Sequence, residues 1–489
     1  VTARGSRGRY DAVVVGAGPN GLVAANVLAD AGRSVLLLEA ADRVGGGART
    51  AELTLRGFHH DVCSTAHPLA VVSPALRSMG LDQLGVTFLH GAEEFAHPLE
   101  GEPDVLVSRS VDLTVQRLGT GGPGWRRLTQ PFRSGGLDLV ATVLDPLSVP
   151  RAPLAAARYG ATAALPATAL ARLLGSGRAR AMLAGLAAHS MLDLGAPLTG
   201  GLGVLLGGLA HLGGWPVIAG GSQQLSDALA ARLMARGGDV VTGQTVTALT
   251  DLPPARRVLL DVSPRDLLGI LGASAPPKYR AALAGFRYGA GVFKVDWALD
   301  GPIPWRDPRT AAAPTVHLGG TYEEIAASER EVARGGHPEQ PFVLLVQAGA
   351  ADGGRAPAGQ QTAWAYCHVP NGSRVDRTDV VERQVERFAP GFRDLVLARH
   401  TMDTSAVQAH DRNDVGGDIS AGALGVRQML ARPVAGVRPW RTPVPGVYLC
   451  SASTPPGPGV HGMCGWLAAR TALADDARGR PVLATGNVV

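Results

Sequence analysis

The residues from Tyr10 to Thr50 restrict the fold more than any other part of this 489-residue chain. Ala12 to Val15 is a short apolar run rich in β-branched residues, and it leads directly into Gly16-Ala17-Gly18-Pro19-Asn20-Gly21, a G-x-G-x-x-G turn. Leu22 to Ala31 reads as a helix closed by Gly32, and a second apolar run, Ser34 to Leu38, ends on Glu39. Strand, glycine turn, helix, strand and acid, in that order, are the parts of a dinucleotide-binding βαβ unit. Gly16 makes the tight turn, Gly18 admits a diphosphate close to the backbone, and Gly21 lets the helix lie against the strand. The diphosphate, flanked by Pro19 and Asn20, then faces unpaired N–H groups at the positive end of the helix dipole. Glu39, with Ala40 beside it, stands about 20 residues further on, where a carboxylate accepts hydrogen bonds from ribose hydroxyls.

A second glycine loop follows the acid: Asp42-Arg43-Val44-Gly45-Gly46-Gly47-Ala48-Arg49-Thr50. Its arginines can reach phosphate oxygens. Together these residues resemble the N-terminal signature of FAD-dependent amine oxidases, phytoene desaturases and their relatives, in which a paired-glycine loop lies next to the flavin. Many members have arginine after the paired glycines; here that residue is Gly47, so the resemblance gives Arg49 the phosphate contact. Near the other end, Gly446 to Thr454 reads as a strand running out into small polar residues, and Pro455 to Gly465 as a glycine- and proline-rich loop that starts the helix Trp466 to Ala474. A loop of this kind presents free N–H groups and a positive dipole end to the electron-rich N1/O2 edge of a reduced flavin. Carotenoid desaturases end in a very similar way, which brings Ser453, Gly459, Val460, His461 and Gly462 into the flavin site by resemblance.

The bulk composition narrows the partners. Hydrophobic residues at 46% and charged residues at 18% describe a globular protein, and the chain is long enough for two domains. A net charge of +5, with no basic run interleaved with aromatics, argues against nucleic acid. Cys63, Cys367, Cys450 and Cys464 lack the C-x-x-C spacing of a zinc knuckle or a redox disulfide, so no metal is expected. Arg4, Arg7 and Arg9 precede the first strand with no apolar segment between, and a cytoplasmic protein without a secretory signal is expected. From Leu194 to Ser226 no residue carries a formal charge. Its many glycines, with Pro197 and Pro216, argue against a membrane span, and the segment reads as the lining of an apolar pocket, with peripheral membrane contact as the alternative.

Between the two signatures lie weaker signals. Gly57 to Pro68 resembles the "GF-x-x-D" segment that passes beside the flavin in phytoene-desaturase-like families, which nominates Ser64 and His67 to touch ring or substrate; the adjacent His59 and His60 point to opposite faces of an extended chain and cannot easily share a metal ion. Leu113 is a strand candidate, Gly121 to Gly124 a bend, and Leu137 to Leu186 a stretch of Ala/Leu helices. A helix from Leu225 to Arg236 leads into a strand candidate from Val240 to Leu249, in which the resemblance nominates Val246 as a backbone contact to adenine. Tyr288 to Leu299 alternates so that Phe293, Val295, Trp297 and Leu299 share one face and Lys294, Asp296 and Ala298 the other. Flavin amine oxidases carry a lysine on a comparable strand near flavin N5; Lys294 is its counterpart by that resemblance, and an ion pair with Asp296 is the structural alternative. Phe342 to Gln347 and Thr362 to His368 read as paired strands of an antiparallel sheet.

The expected fold is α/β: a doubly wound, glutathione-reductase-like FAD-binding Rossmann domain built from residues 1–72, 213–275 and 411–489, with a mixed-sheet α+β substrate domain from 73–212 and 276–410. The resemblance implies FAD as cofactor, an apolar substrate that loses a hydride to flavin N5, and oxygen, a quinone or another electron acceptor. Lys294, His67 and His461 are the candidate catalytic side chains. Amine oxidation, flavin-dependent isomerisation and a non-enzymatic role like that of the related prenyl-protein-binding proteins are the alternatives.

Overall fold

The computed structural model describes residues 8–483; Arg4 and Arg7 lie outside the described residues. Two sheets carry the molecule. The first is five-stranded and wholly parallel, in the order Val447–Leu449, Ala255–Leu260, Tyr10–Val15, Val35–Leu38, Asp239–Val241. Its strands are near-continuous apolar runs because helices cover the sheet, the usual condition for parallel strands. The first helix, Pro19–Asp30, packs against Met463–Ala477 and Gln223–Ala235. The doubly wound dinucleotide fold expected from the sequence is therefore present, with strands contributed from three separated parts of the chain.

The second sheet has seven strands in the order Val396–Met402, Gly291–Leu299, Gln361–Val369, Val343–Val346, Thr315–Leu318, Phe95–His97, Val105–Val107. All neighbours are antiparallel except Thr315–Leu318 with Phe95–His97, so the sheet is mixed. Strand alternation decides what each face meets. Phe293, Val295, Trp297 and Leu299 enter one core with Val381, Val385 and Phe388 of the helix Thr378–Phe388. Val292, Lys294, Thr315, Leu344, Val346, Trp364 and Tyr366 point the other way, into a cavity. Helices Gly177–Ala188 and Thr199–Leu212 pack on each other near that side. The second helix lies within the uncharged segment and lines the cavity through Leu202 and Leu206, as the charge pattern predicts. No helix among the described residues is long and apolar enough to cross a membrane.

Three local expectations need correction. Leu113 lies in a helix, Val111–Leu118, whose N-terminus is capped by the Ser110 hydroxyl accepting from the Leu113 N–H at 3.3 Å. Gly121 to Gly124 is no open bend but the start of the long helix Gly122–Leu144. The Val240 strand ends at Val241, because the next N–H groups leave the ladder: Gly243 donates to the Ala41 carbonyl at 2.7 Å and Gln244 to that of Glu39 at 2.8 Å.

The Gly57 to Pro68 segment is fixed by a buried charge network. Asp61 accepts from Thr50 Oγ1 at 2.6 Å, from the Ser222 N–H at 2.8 Å and from Arg355 Nη2 at 3.1 Å. Arg355 also holds Asp352 at 2.6 Å and the Ile218 carbonyl at 3.1 Å. Burial alone would raise the Asp61 pKa, but Arg355 and the hydrogen bonds prevail and lower it. Replacing Arg355 by Met should therefore leave two buried carboxylates uncompensated and cost about 3 kcal/mol or more. Urea unfolding of Arg355→Met measures this, and a loss well below 1 kcal/mol would show that the network is not structural.

Candidate functional site

Two connected recesses meet at the glycine turn. A smaller one of about 280 Å³ is lined by Gly16, Gly18, Glu39, Ala40, Gly46, Arg49, Val246, Asp261 and His410, among others. A larger one of about 380 Å³ is lined by Gly18, Pro19, Asn20, Gly47, Ser64, His67, Lys294, Gly459 and Val460, together with a mostly apolar wall. Gly18, Asp261, Asp411 and Asn413 border both.

The turn has the shape its glycines require: a Cβ at Gly21 would lie 2.0 Å from the Gly16 carbonyl oxygen, so no other residue fits without moving the helix. Glu39 accepts from the Ala17 N–H at 2.7 Å and the Ala41 N–H at 2.9 Å, which fixes its carboxylate at the strand end. Asn20 Oδ1, Arg49 Nε and His410 Nε2 are buried without a hydrogen-bond partner. Unpaired polar atoms of this kind are rare in a finished structure. Here all three belong to residues bordering the two recesses, and they fit a site for a polar ligand, with Arg49 Nε as the donor open to an anion.

The remaining nominated residues divide. Gly21, Gly45, Ser453, His461 and Gly462 do not border either recess. Ser453 donates to the Ala421 carbonyl at 2.8 Å. The His461 ring is turned into its own loop: Nδ1 accepts from the Met463 N–H at 3.0 Å, and Nε2 contacts the Gly457 carbonyl at 3.2 Å. Burial lowers its pKa to about 4. His67 borders the cavity, but its Nε2 is engaged at 2.9 Å by Ser222 Oγ, which itself donates to the Ser64 carbonyl at 2.5 Å. Burial lowers the His67 pKa to about 4 as well. Lys294 faces the cavity and is ion-paired with Asp296, the structural alternative named for it, while its Nζ lies 5.0 Å from the Trp364 ring centre. His60 and His400 approach the same carboxylate at 3.7 and 3.3 Å, and burial holds His60 down to about 4 despite Asp296. His59, one residue before, is exposed, which confirms that the two histidines part.

Sequence reading overlooked the acids at the turn. Asp261 follows the strand Ala255–Leu260, and its Oδ2 accepts the Gly21 N–H at 2.8 Å. A carboxyl at the C-terminal end of a parallel strand was the available signal, because ligands bind there in such sheets. Burial pushes its pKa up to about 8, with Asp411 and Glu39 adding to the rise, and the buried Asp414 carboxyl moves well upward too. Both shifts, at Asp261 and Asp414, favour the neutral carboxyl, which opposes a bound anion less than a carboxylate would.

Comparison with known proteins fits this geometry. Residues 14–79 match the NAD(P)-binding Rossmann-like domain. Mouse pyridine nucleotide-disulfide oxidoreductase domain-containing protein 2 is 27% identical, covering 96% of this chain and 95% of the relative. Among solved structures, an oxidoreductase from Methanosarcina mazei superposes with a TM-score of 0.60 at 16% identity over 95% of this chain and 99% of that one. Putrescine oxidase bound to putrescine does so at 0.59 and 18% identity, over 96% and 99%. The chain shares the overall fold of these two solved structures. It is an oxidoreductase with a dinucleotide-binding Rossmann-like domain.

Asp261 gives this site a pH signature. Its folded-state pKa is raised from 3.8 to about 8, so its favourable contribution is complete below pH ~4 and is lost as pH rises through about 8. Thermal melts of the wild type should thus fall more steeply between about pH 4 and 8 than those of Asp261→Asn, which cannot ionise. Parallel profiles would return Asp261 to an ordinary, charged role.

Proposed function

We propose that the protein is an FAD-dependent dehydrogenase or desaturase that removes a hydride from a C–H bond of an apolar substrate. The observation that carries this reading is the adjacency of the two recesses, which share Gly18, Asp261, Asp411 and Asn413 as a common border. A polar, glycine-lined slot lies beside a cavity walled by Met191, Leu202, Leu206, Trp215, Val292, Leu344, Val346, Tyr366 and Leu424. The dinucleotide-binding part is assigned to residues 1–72, 213–275 and 411–489, and the substrate-binding part to 73–212 and 276–410.

In this reading Glu39 and Ala40 hold the ribose, Val246 the adenine, and the Gly16 to Gly21 turn with Arg49 the diphosphate. Gly47, Ser64, Gly459 and Val460 border the larger recess, where the ring and substrate meet. FAD, when bound, supplies the hydride acceptor. The protein contributes position and a water-poor wall, and Lys294 sets a positive charge in that wall, tied to Asp296. Oxygen, a quinone or another acceptor re-oxidises the cofactor.

Amine oxidation is the second reading, favoured by the likeness to putrescine oxidase and by the place of Lys294 beside Trp364. The apolar wall supports the first.

Purified protein is expected to show flavin absorbance near ~450 nm, and Glu39→Ala to yield apoprotein. Stoichiometric FAD retained by that variant would overturn the assignment of Glu39, and absence of flavin from protein reconstituted with FAD would overturn the cofactor. Lys294→Met should keep FAD but slow its reduction or reoxidation at least tenfold in stopped-flow traces. Unchanged rates would leave Lys294 a purely structural partner of Asp296.

A further inference from the structure

The far wall of the larger cavity holds a group of buried histidines that no part of the proposed chemistry uses. His189 follows the helix Gly177–Ala188 and borders the cavity, and His317 lies behind it on the strand Thr315–Leu318. Their Nε2 atoms are 3.0 Å apart, a hydrogen-bond distance. Trp215 lies edge-on to both rings, with centroids at 5.6 Å from each, and Phe95 and Phe342 enclose His317 further. The surroundings are apolar, and burial drives His189 down to about 3 and His317 well below its ordinary value. Both rings are therefore neutral, and one proton lies between the two Nε2 atoms.

Which ring owns that proton follows from the other nitrogens. His317 Nδ1 is buried with no partner. Were His189 the donor, neutral His317 would have to carry its own proton on Nδ1, an N–H sealed in an apolar core with no acceptor. Buried orphan donors are rarer than unfilled lone pairs. His317 therefore carries its proton on Nε2 and donates it to His189, and its Nδ1 is an empty lone pair. His97, next to it, follows the same rule: Nε2 donates to the Gly320 carbonyl at 2.7 Å and Nδ1 is the unpartnered lone pair. His189, accepting on Nε2, must then carry its proton on Nδ1. That nitrogen has no protein partner among the described residues and is not sealed off like the Nδ1 atoms of its neighbours, and its ring borders the cavity.

We propose that His189, oriented by His317, presents an Nδ1–H donor to the cavity and selects an apolar molecule that carries a neutral oxygen acceptor, a carbonyl in the first instance. An alkylammonium group brings only donors and would meet a donor at this wall. A plain hydrocarbon would leave the N–H unpaired, and a buried donor without a partner is the costlier default. The proposal deepens the reading of the larger recess as the substrate site and rests on it.

The test uses matched ligands: nonan-2-one, 2-methylnon-1-ene, in which a methylene replaces the carbonyl oxygen, and nonan-2-amine. Binding is read from the fluorescence of the cavity tryptophans on the protein as purified, so it remains measurable whether or not flavin is present, and failure of the cofactor assignment is distinguished from failure of this one. His189→Phe keeps a ring but no donor, and should lower the ketone-to-alkene affinity ratio about tenfold, the size expected for one hydrogen bond. His317→Leu should lower the same ratio several-fold by releasing the tautomer of His189. An unchanged ratio in His189→Phe, or an amine bound more tightly than the ketone by wild type, would overturn the proposal. Nitrogen-15 NMR of histidine-labelled wild type provides a check that needs no variant. His189 should show the Nδ1–H tautomer, and the Nε2–H tautomer or an imidazolium would equally refute it.

Discussion

The first helix lies directly against the last, and the remainder of the architecture is arranged to permit this contact. A Cβ at Gly465 would fall 1.9 Å from the Asn20 carbonyl oxygen, so Pro19–Asp30 and Met463–Ala477 approach as closely as two backbones can at their N-terminal ends. Two positive dipole ends thus lie side by side, one following the G-x-G-x-x-G turn and the other the Pro455 to Gly465 loop. Neither end finds a carboxylate cap from its own first turn. Placing them together creates a field that favours an elongated anion. More than four hundred residues of intervening chain must leave the parallel sheet and return to it twice, through Asp239–Val241 and Ala255–Leu260 and again at Val447–Leu449, without disturbing that junction.

What keeps the excursion in register is buried charge that is paired on one side and suppressed on the other. Arg355, from the loop before the central strand Gln361–Val369, reaches Asp61 beside the glycine turn, and Ser222 ties the same carboxylate to the return segment. A buried ion pair adds little over an apolar pair but is costly to break, so it specifies one docking of the two sheets rather than merely stabilising them. Lys294 and Asp296 pair within one strand on the cavity face, where His60 and His400 complete the surroundings of the carboxylate. Elsewhere around the site the groups titrate away from charge: Asp261, Asp414, His67 and His189 are all shifted toward their neutral forms by burial.

The parts of this design that are local in sequence were legible from it. Gly16 to Gly21 and Glu39 announce the first βαβ unit because turn, helix start and strand end are set by consecutive residues, and the alternation from Phe293 to Leu299 sorts its two faces correctly for the same reason. The uncharged stretch around Thr199–Leu212 could be matched to a pocket because the absence of charge is itself a local property. Leu113 was misplaced because its apolar neighbours fit a strand as well as a helix, and only Ser110 as a cap decides between them. The Asp261 carboxyl showed only as an acid at a strand end, and the His189–His317 pair left no trace. Their meaning depends on neighbours separated from them by more than a hundred residues, and a lone histidine after an alanine-rich helix has no pattern that distinguishes it from a surface residue.

His67 and His461 show the same limit from the opposite side, since both stand in motifs yet spend their ring nitrogens on the scaffold. Ser222 donates to the Ser64 carbonyl and so must accept from His67 Nε2–H, which leaves His67 Nδ1 a buried lone pair. His461 binds two backbone groups of its own loop and thereby shapes the turn that starts the last helix. Neither ring has a free proton-accepting nitrogen open to the cavity, whereas His189 has a free donor and Lys294 a charge. The apolar wall thus carries one cation, Lys294, and neither of these two histidines offers it a base. Such a wall accords with the hydride-transfer reading proposed above, in which the protein's task would be to position the C–H bond and exclude water.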